Sequence, residues 1–177
     1  MSYDFSRLAI LVVEESALMR ELVRDVLREF NIREVADVSK PEAAFDLFRK
    51  RTFDVVLIDW SPECDGIALV KRIRQDKKSP YPFIPIIVMS AYTEFGNVSA
   101  VRDAGANAFL AKPVSARDIY EHLVDVVEAK RAFVRIAKYV GPDRRHDRKK
   151  AFAGIERRLS SAAKPAAAAG NTTPHHN

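Results

Sequence analysis

The chain has 177 residues, of which 47% are hydrophobic and 30% are charged, a composition typical of folded globular proteins rather than disordered ones. No apolar run approaches the roughly 20 residues that a membrane helix needs, and the apolar N-terminal stretch reaches Glu14 without a signal-peptide cleavage site. A single cysteine excludes an internal disulfide, so we expect a cytoplasmic protein with no membrane insertion.

The net charge of +5 is unevenly distributed along the chain. Residues 1–129 contain 17 Lys and Arg against 21 Asp and Glu, whereas residues 130–177 contain 12 against 3. The composition changes again near residue 162, where an alanine-rich, low-complexity stretch begins. We therefore predict an acidic domain over 1–129, a basic arginine-rich extension over 130–161 and a disordered tail over 162–177.

Five apolar segments of strand length alternate with amphipathic segments in the acidic region. The predicted strands are Leu8–Val13, Glu34–Val38, Phe53–Ile58, Ile84–Met89 and Ala108–Ala111. Alternation of this kind predicts the α/β class, with a five-stranded, doubly wound parallel sheet covered by helices on both faces.

Two of the amphipathic segments bear on later results. In the first helix, which Ser16 would cap, the apolar positions step through Leu18, Leu22, Val26 and Phe30. After the fifth helix the helical spacing continues through Phe133, Ile136 and Val140. We therefore expect the last helix to extend to about Tyr139, where Gly141 and Pro142 end it, so the basic extension is predicted to be disordered or partly helical.

Distinctive polar residues stand where four of the predicted strands end: Glu14 and Glu15, Asp59, Ser90 and Lys112. The carboxyl ends of parallel strands form the ligand-binding edge of such a sheet. Carboxylates bind Mg²⁺, a metal and a lysine neutralise transferring phosphoryl oxygens, and a carboxylate can itself accept phosphate. Any one of these residues alone is more simply an ordinary polar strand end, but their order on this topology favours a phosphoryl site.

Several stretches resemble the receiver domains of two-component signalling, the chemotaxis-regulator-like domains, which have a flavodoxin-like fold. The resemblance covers roughly residues 7–128. The matching stretches are Ile10–Ser16, Val56–Trp60, Asp65–Gly66, Met89–Tyr92, Ala104–Ala106 and Phe109–Pro113.

The resemblance implies that Asp59 accepts phosphate from a sensor histidine kinase or phosphotransfer protein. It further implies that Lys112 contacts the phosphate, that Ser90 moves towards it and that Phe109 swings inward as a switch. Mg²⁺ would be held by Glu14, Glu15, Asp59 and the backbone carbonyl of Trp60. No enzyme activity is implied beyond self-phosphorylation and autodephosphorylation.

Two features depart from the family's pattern. The family usually has aspartate at the position of Glu15, and Mg²⁺ demands near-ideal geometry, so an extra methylene matters. The loop from Asp59 to Gly66 is one residue shorter than usual and lacks its methionine. A receiver that phosphorylates slowly, or not at all, therefore stays an open alternative.

The basic extension contains the stretch Tyr139-Val-Gly-Pro-Asp-Arg-Arg145 and a weaker echo over 154–158, with Ile155 in place of an expected proline. Arginine can pair bidentately with guanine and stack on it, and aspartate can accept from guanine donors. The first stretch resembles the arginine-rich extension of chemotaxis-regulator-like effectors of cyclic di-GMP. That resemblance implies a nucleotide site built from Tyr139, Asp143, Arg144, Arg145, Arg148, Arg157 and Arg158.

Three interpretations of the whole chain follow. The first is a two-input protein that is phosphorylated, binds cyclic di-GMP and controls a protein partner such as the flagellar motor. The second is a plain or degenerate receiver whose tail is only a tether. The third is a tail that binds nucleic acid nonspecifically through phosphates. The region after residue 129 is too short for a folded helix-turn-helix effector, which counts against a transcription factor.

Overall fold

The computed structural model describes residues 3–62, 64–128, 133–136 and 139–143, with the main chain only at 135 and 136. Five β-strands and five α-helices alternate, and two short strands follow. In chain order the elements are β1 (Ala9–Val13), α1 (Ala17–Glu29), β2 (Glu34–Val38), α2 (Pro41–Lys50), β3 (Val55–Asp59), α3 (Gly66–Gln75), β4 (Ile86–Ser90), α4 (Phe95–Ala104), β5 (Ala108–Ala111), α5 (Ala116–Glu128), β6 (Phe133–Ile136) and β7 (Tyr139–Pro142).

The first five strands form one parallel sheet in the order β2-β1-β3-β4-β5, which confirms the predicted doubly wound α/β fold. Three of the predicted strands are displaced by one or two residues at their ends. Because alternate strand residues face opposite sides, Leu11 and Val13 join one apolar cluster and Ile10 and Val12 join the other. The sheet thus carries a core on each face.

The apolar stripe predicted for α1 is wrong at its N-terminal end. Leu18 is 69% exposed and Leu22 is 51% exposed, whereas Val23 and Leu27 are buried. Residues spaced by four drift around a helix by about 40° per step at 3.6 residues per turn. A line of four such positions therefore cannot all face the core, and only its C-terminal members, Val26 and Phe30 in our prediction, pack against the core.

The predicted extension of the last helix to Tyr139 is also wrong. Residues 133–136 and 139–142 form an antiparallel hairpin in which Phe133 pairs with Pro142 and Ile136 with Tyr139. Phe, Val, Ile and Tyr favour strands, and Pro142 has no backbone N–H for a helix. The compact unit that contains the sheet extends to Asp143.

The hairpin packs against the ends of α3 and α4, at the edge of the sheet where β4 and β5 begin. The Phe133 ring lies 5.2 Å from that of Phe83, measured between centroids. Gly105, which follows α4, has a φ of 105°, and a Cβ there would lie 2.5 Å from the carbonyl oxygen of Val140. The close approach of the two main chains thus depends on the absence of a side chain at Gly105.

A buried arginine lies under the hairpin. Arg74, at the end of α3, is 1% exposed and donates to the carbonyl oxygens of Gly105 (3.0 Å) and Pro82 (2.7 Å) and to Asn107 Oδ1 (2.9 Å). Its guanidinium carbon lies 5.3 Å from the centre of the Phe133 ring. Burial lowers the pKa of Arg74 to about 9, and no carboxylate in the described ranges pairs with it.

Within the described residues, none of the helices combines the length and the apolar character that crossing a bilayer requires.

Candidate functional site

Three of the predicted site residues meet at the carboxyl edge of the sheet. The ammonium nitrogen of Lys112, just after β5, lies 2.6 Å from Asp59 Oδ1 and 2.8 Å from Glu14 Oε2. Asp59 ends β3 and Glu14 follows β1, so separate strands deliver the three groups to one place. The site therefore contains a cation shared by two carboxylates.

The pocket is held by the main chain around Lys112 and Asp59. The Lys112 N–H donates to the carbonyl oxygen of Ser90 at 2.8 Å, and the Trp60 N–H donates to that of Met89 at 2.9 Å. The peptide bond between Lys112 and Pro113 is cis. Gly66, which starts α3, allows that helix to approach β3, because a Cβ there would lie 2.6 Å from the carbonyl oxygen of Asp59.

The pKa values of Asp59 and Lys112 are set by burial and by the contacts between the charged groups of the pocket. Asp59 is 7% exposed, and burial raises its pKa; the hydrogen bond from Lys112 opposes this and the neighbouring Glu14 charge adds to it. Burial alone would lower the pKa of Lys112, but its hydrogen bonds to Asp59 and Glu14 raise that pKa above the ordinary value. Lys112 is therefore charged at neutral pH, and its charge only partly offsets the effect of burial on the pKa of Asp59.

The Glu14 side chain is almost completely buried, at 3% exposure. Its Oε1 accepts a hydrogen bond from the Ser16 N–H at 2.9 Å, and its Oε2 accepts from Lys112. Ser16 in turn caps α1, since its side chain accepts from the Met19 N–H. The position of the Glu14 carboxylate is thus fixed by the loop between β1 and α1.

Glu15 does not join this pair in the way that we expected. The residue is exposed, and across the described residues no group of three or more His, Cys, Asp or Glu side chains is gathered closely enough to hold a metal. The three carboxylates that we expected to cluster are therefore not gathered in the described residues, and Glu15 as a metal ligand stays a prediction. The carbonyl oxygen of Glu15 accepts a hydrogen bond from Arg20, and the Glu15 side chain is exposed.

The remaining oxygen atoms still suit Mg²⁺. Mg²⁺ in proteins is commonly held by only one or two carboxylates and keeps several waters. Glu14 and Asp59 supply two buried carboxylates whose combined charge exceeds that of the one lysine between them. The carbonyl of Trp60, next to Asp59 in the chain, is the third oxygen that we predicted. The donor set therefore fits a hard divalent cation.

The two predicted switch residues lie on the strands next to the pocket. Ser90 ends β4 with no exposed surface, and its hydroxyl accepts a hydrogen bond from the Tyr92 N–H at 3.0 Å. Phe109, on β5, is half-buried and packs against the core cluster on the face covered by α2, α3 and α4. Ser90 thus ends the strand between β3 and β5, and Phe109 lies on β5, the strand that leads to Lys112.

Sequence reasoning missed some residues around the pocket. Arg20, in α1, donates to the carbonyl oxygens of both Glu14 and Glu15, and it pairs with Asp37 of β2. Tyr92 forms a T-shaped contact with Trp60, with ring centroids 5.8 Å apart. A helical arginine within two turns of a strand end was the available signal, but its partner on β2 could only be identified from the strand order.

The predicted nucleotide-binding residues are mostly beyond the described part of the chain. Tyr139 is buried at 9% exposure, and its hydroxyl donates to the carbonyl oxygen of Pro142 at 3.0 Å. Asp143 is half-buried and is the last described residue. The others, Arg144, Arg145, Arg148, Arg157 and Arg158, lie outside the described residues, as do the predicted tail over 162–177 and its boundary.

Comparison with known proteins agrees with this architecture. Residues 10–124 match the family model of the response regulator receiver domain. The chain is 28% identical over 120 residues to chemotaxis protein CheY-3 of Vibrio cholerae, covering 67% of this chain and 91% of that protein. It is 33% identical over 120 residues to the chemotaxis protein CheY homolog of Campylobacter jejuni, with the same coverage.

Solved structures give the same result. The receiver domain of sensor histidine kinase PA1611 from Pseudomonas aeruginosa, solved with a magnesium ion in its active-site cleft, is 25% identical with a TM-score of 0.61, covering 69% of this chain and 98% of that one. Vibrio cholerae CheY4 is 25% identical with a TM-score of 0.61, covering 67% and 98%. By sequence and by fold, this chain belongs to the response-regulator receiver family.

Proposed function

We propose that this receiver accepts a phosphoryl group on Asp59 from a histidine kinase or phosphotransfer protein. The observation that supports the proposal best is the position of Lys112, whose ammonium nitrogen lies 2.6 Å from Asp59 and 2.8 Å from Glu14. A cation held against an acceptor carboxylate by ion pairs is available to phosphate oxygens when they arrive.

In the proposed transfer, a bond forms between an Asp59 carboxylate oxygen and phosphorus. The bond between phosphorus and the donor's histidine nitrogen breaks, and the leaving imidazole takes the electron pair. Lys112 donates hydrogen bonds to the transferred phosphate oxygens, and the Ser90 hydroxyl, which accepts from the Tyr92 N–H, donates to one of them. The Phe109 side chain, on β5, then swings inward.

Glu14, Asp59 and the Trp60 carbonyl are the groups that we expect to hold Mg²⁺. When bound, the metal supplies positive charge to the transferring oxygens. Glu14 also keeps Lys112 oriented before phosphate arrives, because both of its carboxylate oxygens are already hydrogen-bonded. Attack of water on phosphorus then breaks the bond to the Asp59 oxygen, releases inorganic phosphate and restores the Asp59 carboxylate.

Fluorescence of Trp60, the only tryptophan, tests this proposal. Addition of beryllofluoride with Mg²⁺ is expected to change the emission of the wild-type chain and to leave Asp59→Asn unaffected, because the variant lacks the acceptor oxygen. A flat wild-type response would contradict the proposal and support a degenerate receiver. An equal response in Asp59→Asn would place the ligand elsewhere.

We propose further that the basic extension binds cyclic di-GMP and that the output is a protein partner such as the flagellar motor switch. Two features of the sequence support cyclic di-GMP binding. The side chains of the Asp143-Arg144-Arg145 triplet suit guanine and phosphate, and basic residues are in excess after residue 129. Because Tyr139 supports Pro142 within the hairpin, we assign it to holding the segment and assign the base contacts to Asp143 and the arginines. The motor partner rests on the chemotaxis names of the relatives.

Calorimetric titration with cyclic di-GMP tests the tail. The double variant Arg144→Ala/Arg145→Ala is expected to lose at least ~10-fold in affinity, since each arginine supplies charge-assisted hydrogen bonds. Lys149→Ala/Lys150→Ala removes the same charge outside the predicted set and is the matched control. Equal losses of affinity in both double variants, together with a steep salt dependence and equally tight binding of duplex DNA, would instead favour nonspecific binding of polyanions by the tail. No binding by the wild-type chain would favour a tether.

A further inference from the structure

We propose that Arg20 is a positioning residue of the phosphoryl site. It fixes the main chain of Glu14 and Glu15 and thereby the place of the buried Glu14 carboxylate. This inference rests on the proposed function of the Asp59 pocket, because it concerns how that pocket keeps its shape before a metal or phosphate arrives.

The Arg20 side chain holds the loop between β1 and α1 by hydrogen bonds to main-chain carbonyl oxygens of that loop. The terminal nitrogen Nη1 donates to the carbonyl oxygen of Glu14 at 2.7 Å and to that of Glu15 at 2.8 Å. One nitrogen therefore ties two successive peptide units together. The Arg20 side chain is 20% exposed, and of the two bonds the one to Glu14 is partly buried whereas the one to Glu15 is exposed.

The other side of the same guanidinium is attached to the sheet. Arg20 Nε lies 3.2 Å from Asp37 Oδ2, and Asp37 stands on β2 directly beside Val12 of β1. The planar, rigid guanidinium thus links the β1–α1 loop to β2, which is separated from that loop along the chain by the whole of α1. A lysine in this place would keep the charge but could not bridge Asp37 and both carbonyls with a fixed geometry.

The loop in turn sets the position of the Glu14 carboxylate. Glu14 Oε1 accepts from the Ser16 N–H in the same loop, and its Oε2 accepts from Lys112. A shift of the loop main chain would therefore move both the predicted metal ligand and the partner of Lys112. Residues that orient the groups around a metal without touching it typically change metal affinity by about 10- to 100-fold when altered.

The chain supplies a matched control for this role. Arg24, one helical turn further along α1, also reaches the Asp37 carboxylate, with Nη1 3.2 Å from Oδ1. None of its hydrogen bonds in the described residues goes to the loop carbonyls. Substitution of Arg24 therefore removes an ion pair to the same aspartate and leaves the Glu14–Glu15 main chain untouched.

The test compares Arg20→Ala, Arg20→Lys and Arg24→Ala in the full chain. Mg²⁺ affinity is read from Trp60 fluorescence, and the exchange rate of the Ser16 amide proton is read from the metal-free protein. Both Arg20 variants are expected to bind Mg²⁺ about 10- to 100-fold more weakly and to exchange the Ser16 proton faster. Arg24→Ala is expected to stay within about twofold of the wild type for both quantities, as surface ion pairs contribute little.

Two outcomes would overturn the proposal. Wild-type Mg²⁺ affinity and Ser16 exchange in Arg20→Lys would mean that positive charge suffices and that the guanidinium geometry is irrelevant. An equal loss in Arg24→Ala would assign the effect to Asp37 and the α1–β2 contact. If the wild-type chain itself fails to bind Mg²⁺, the proposed function of the pocket fails, whereas Ser16 exchange in the metal-free variants still decides the role of Arg20.

Discussion

Two cations lie at opposite edges of the sheet, one partly and one fully buried, and their partners differ in kind. Lys112, at the carboxyl edge, contacts two carboxylates and keeps 19% of its side chain in solvent. Arg74, at the amino edge, is 1% exposed and is bonded only to neutral oxygens in the described residues. A cation with ionised partners near water can exchange them for phosphate oxygens. A cation enclosed by main-chain and amide oxygens remains in place and holds structure together.

The largest expected effect concerns Lys112, the cation that can exchange its partners for phosphate oxygens. Lys112→Met is expected to slow phosphorylation of Asp59 by acetyl phosphate about 10²- to 10³-fold, the usual loss when one group that stabilises transferring oxygens is removed. The rate is measured by phosphoprotein gel. Lys71→Met, at an exposed position of α3, is the control. A Lys112→Met rate near that of the wild type would show that this lysine has no part in the transfer.

Substitution of Arg74, the fully buried cation, is expected to change the free energy of unfolding instead. Arg74→Met leaves the carbonyl oxygens of Gly105 and Pro82 without the donor that Arg74 supplies, while Asn107 Oδ1 keeps the Ile86 N–H, and this lowers the free energy of unfolding by about 3 kcal/mol. Urea denaturation measures the loss, and Lys71→Met is expected to change stability by less than about 0.5 kcal/mol. An Arg74→Met protein as stable as the wild type would remove the distinction between the two cations.

The hairpin over Arg74 can be loosened without altering the receiver core. A Cβ at Gly141 would lie 2.5 Å from the Tyr139 hydroxyl and 2.9 Å from Gly105 Cα. We expect Gly141→Ala to destabilise the hairpin by about 1–2 kcal/mol through overpacking, seen as faster amide exchange in β6 and β7. Gly96→Ala is the control, because nothing lies within 4 Å of a Cβ there. Unchanged exchange in Gly141→Ala would mean that the hairpin is not seated on Gly105.

The smallest effect concerns pH. Burial raises the pKa of Asp59, so the folded chain holds this proton to higher pH than the unfolded chain does. Stability therefore falls as pH rises from 3.8 through the raised pKa, and the loss persists at neutral pH. Asp59→Asn is expected to be more stable than the wild type at pH 7 and to lose this advantage below pH 3.8. Greater wild-type stability at pH 7 would reverse the assigned sign.

How far sequence reasoning reached differs between the two edges. At the carboxyl edge, strand order alone placed Glu14, Asp59 and Lys112 together, because parallel strands deliver their ends to one side. The exposure of the Glu15 side chain was not predictable, because strand order says where β1 ends but not which way the side chains of the following loop point. At the amino edge, Phe133 to Val140 fits helical spacing as well as strand alternation, and the contact with Arg74 that favours a hairpin is distant in sequence.

The contact between Gly105 and the hairpin has a consequence for substitutions in this chain. At Gly105 a side chain would meet the carbonyl of Val140, and at Gly141 it would meet the Tyr139 ring and Gly105 itself. The two main chains can therefore keep this separation only while neither position carries a Cβ. Substitutions at two positions that are far apart along the chain thus have the same structural result, which is displacement of the two-stranded extension from the end of α4.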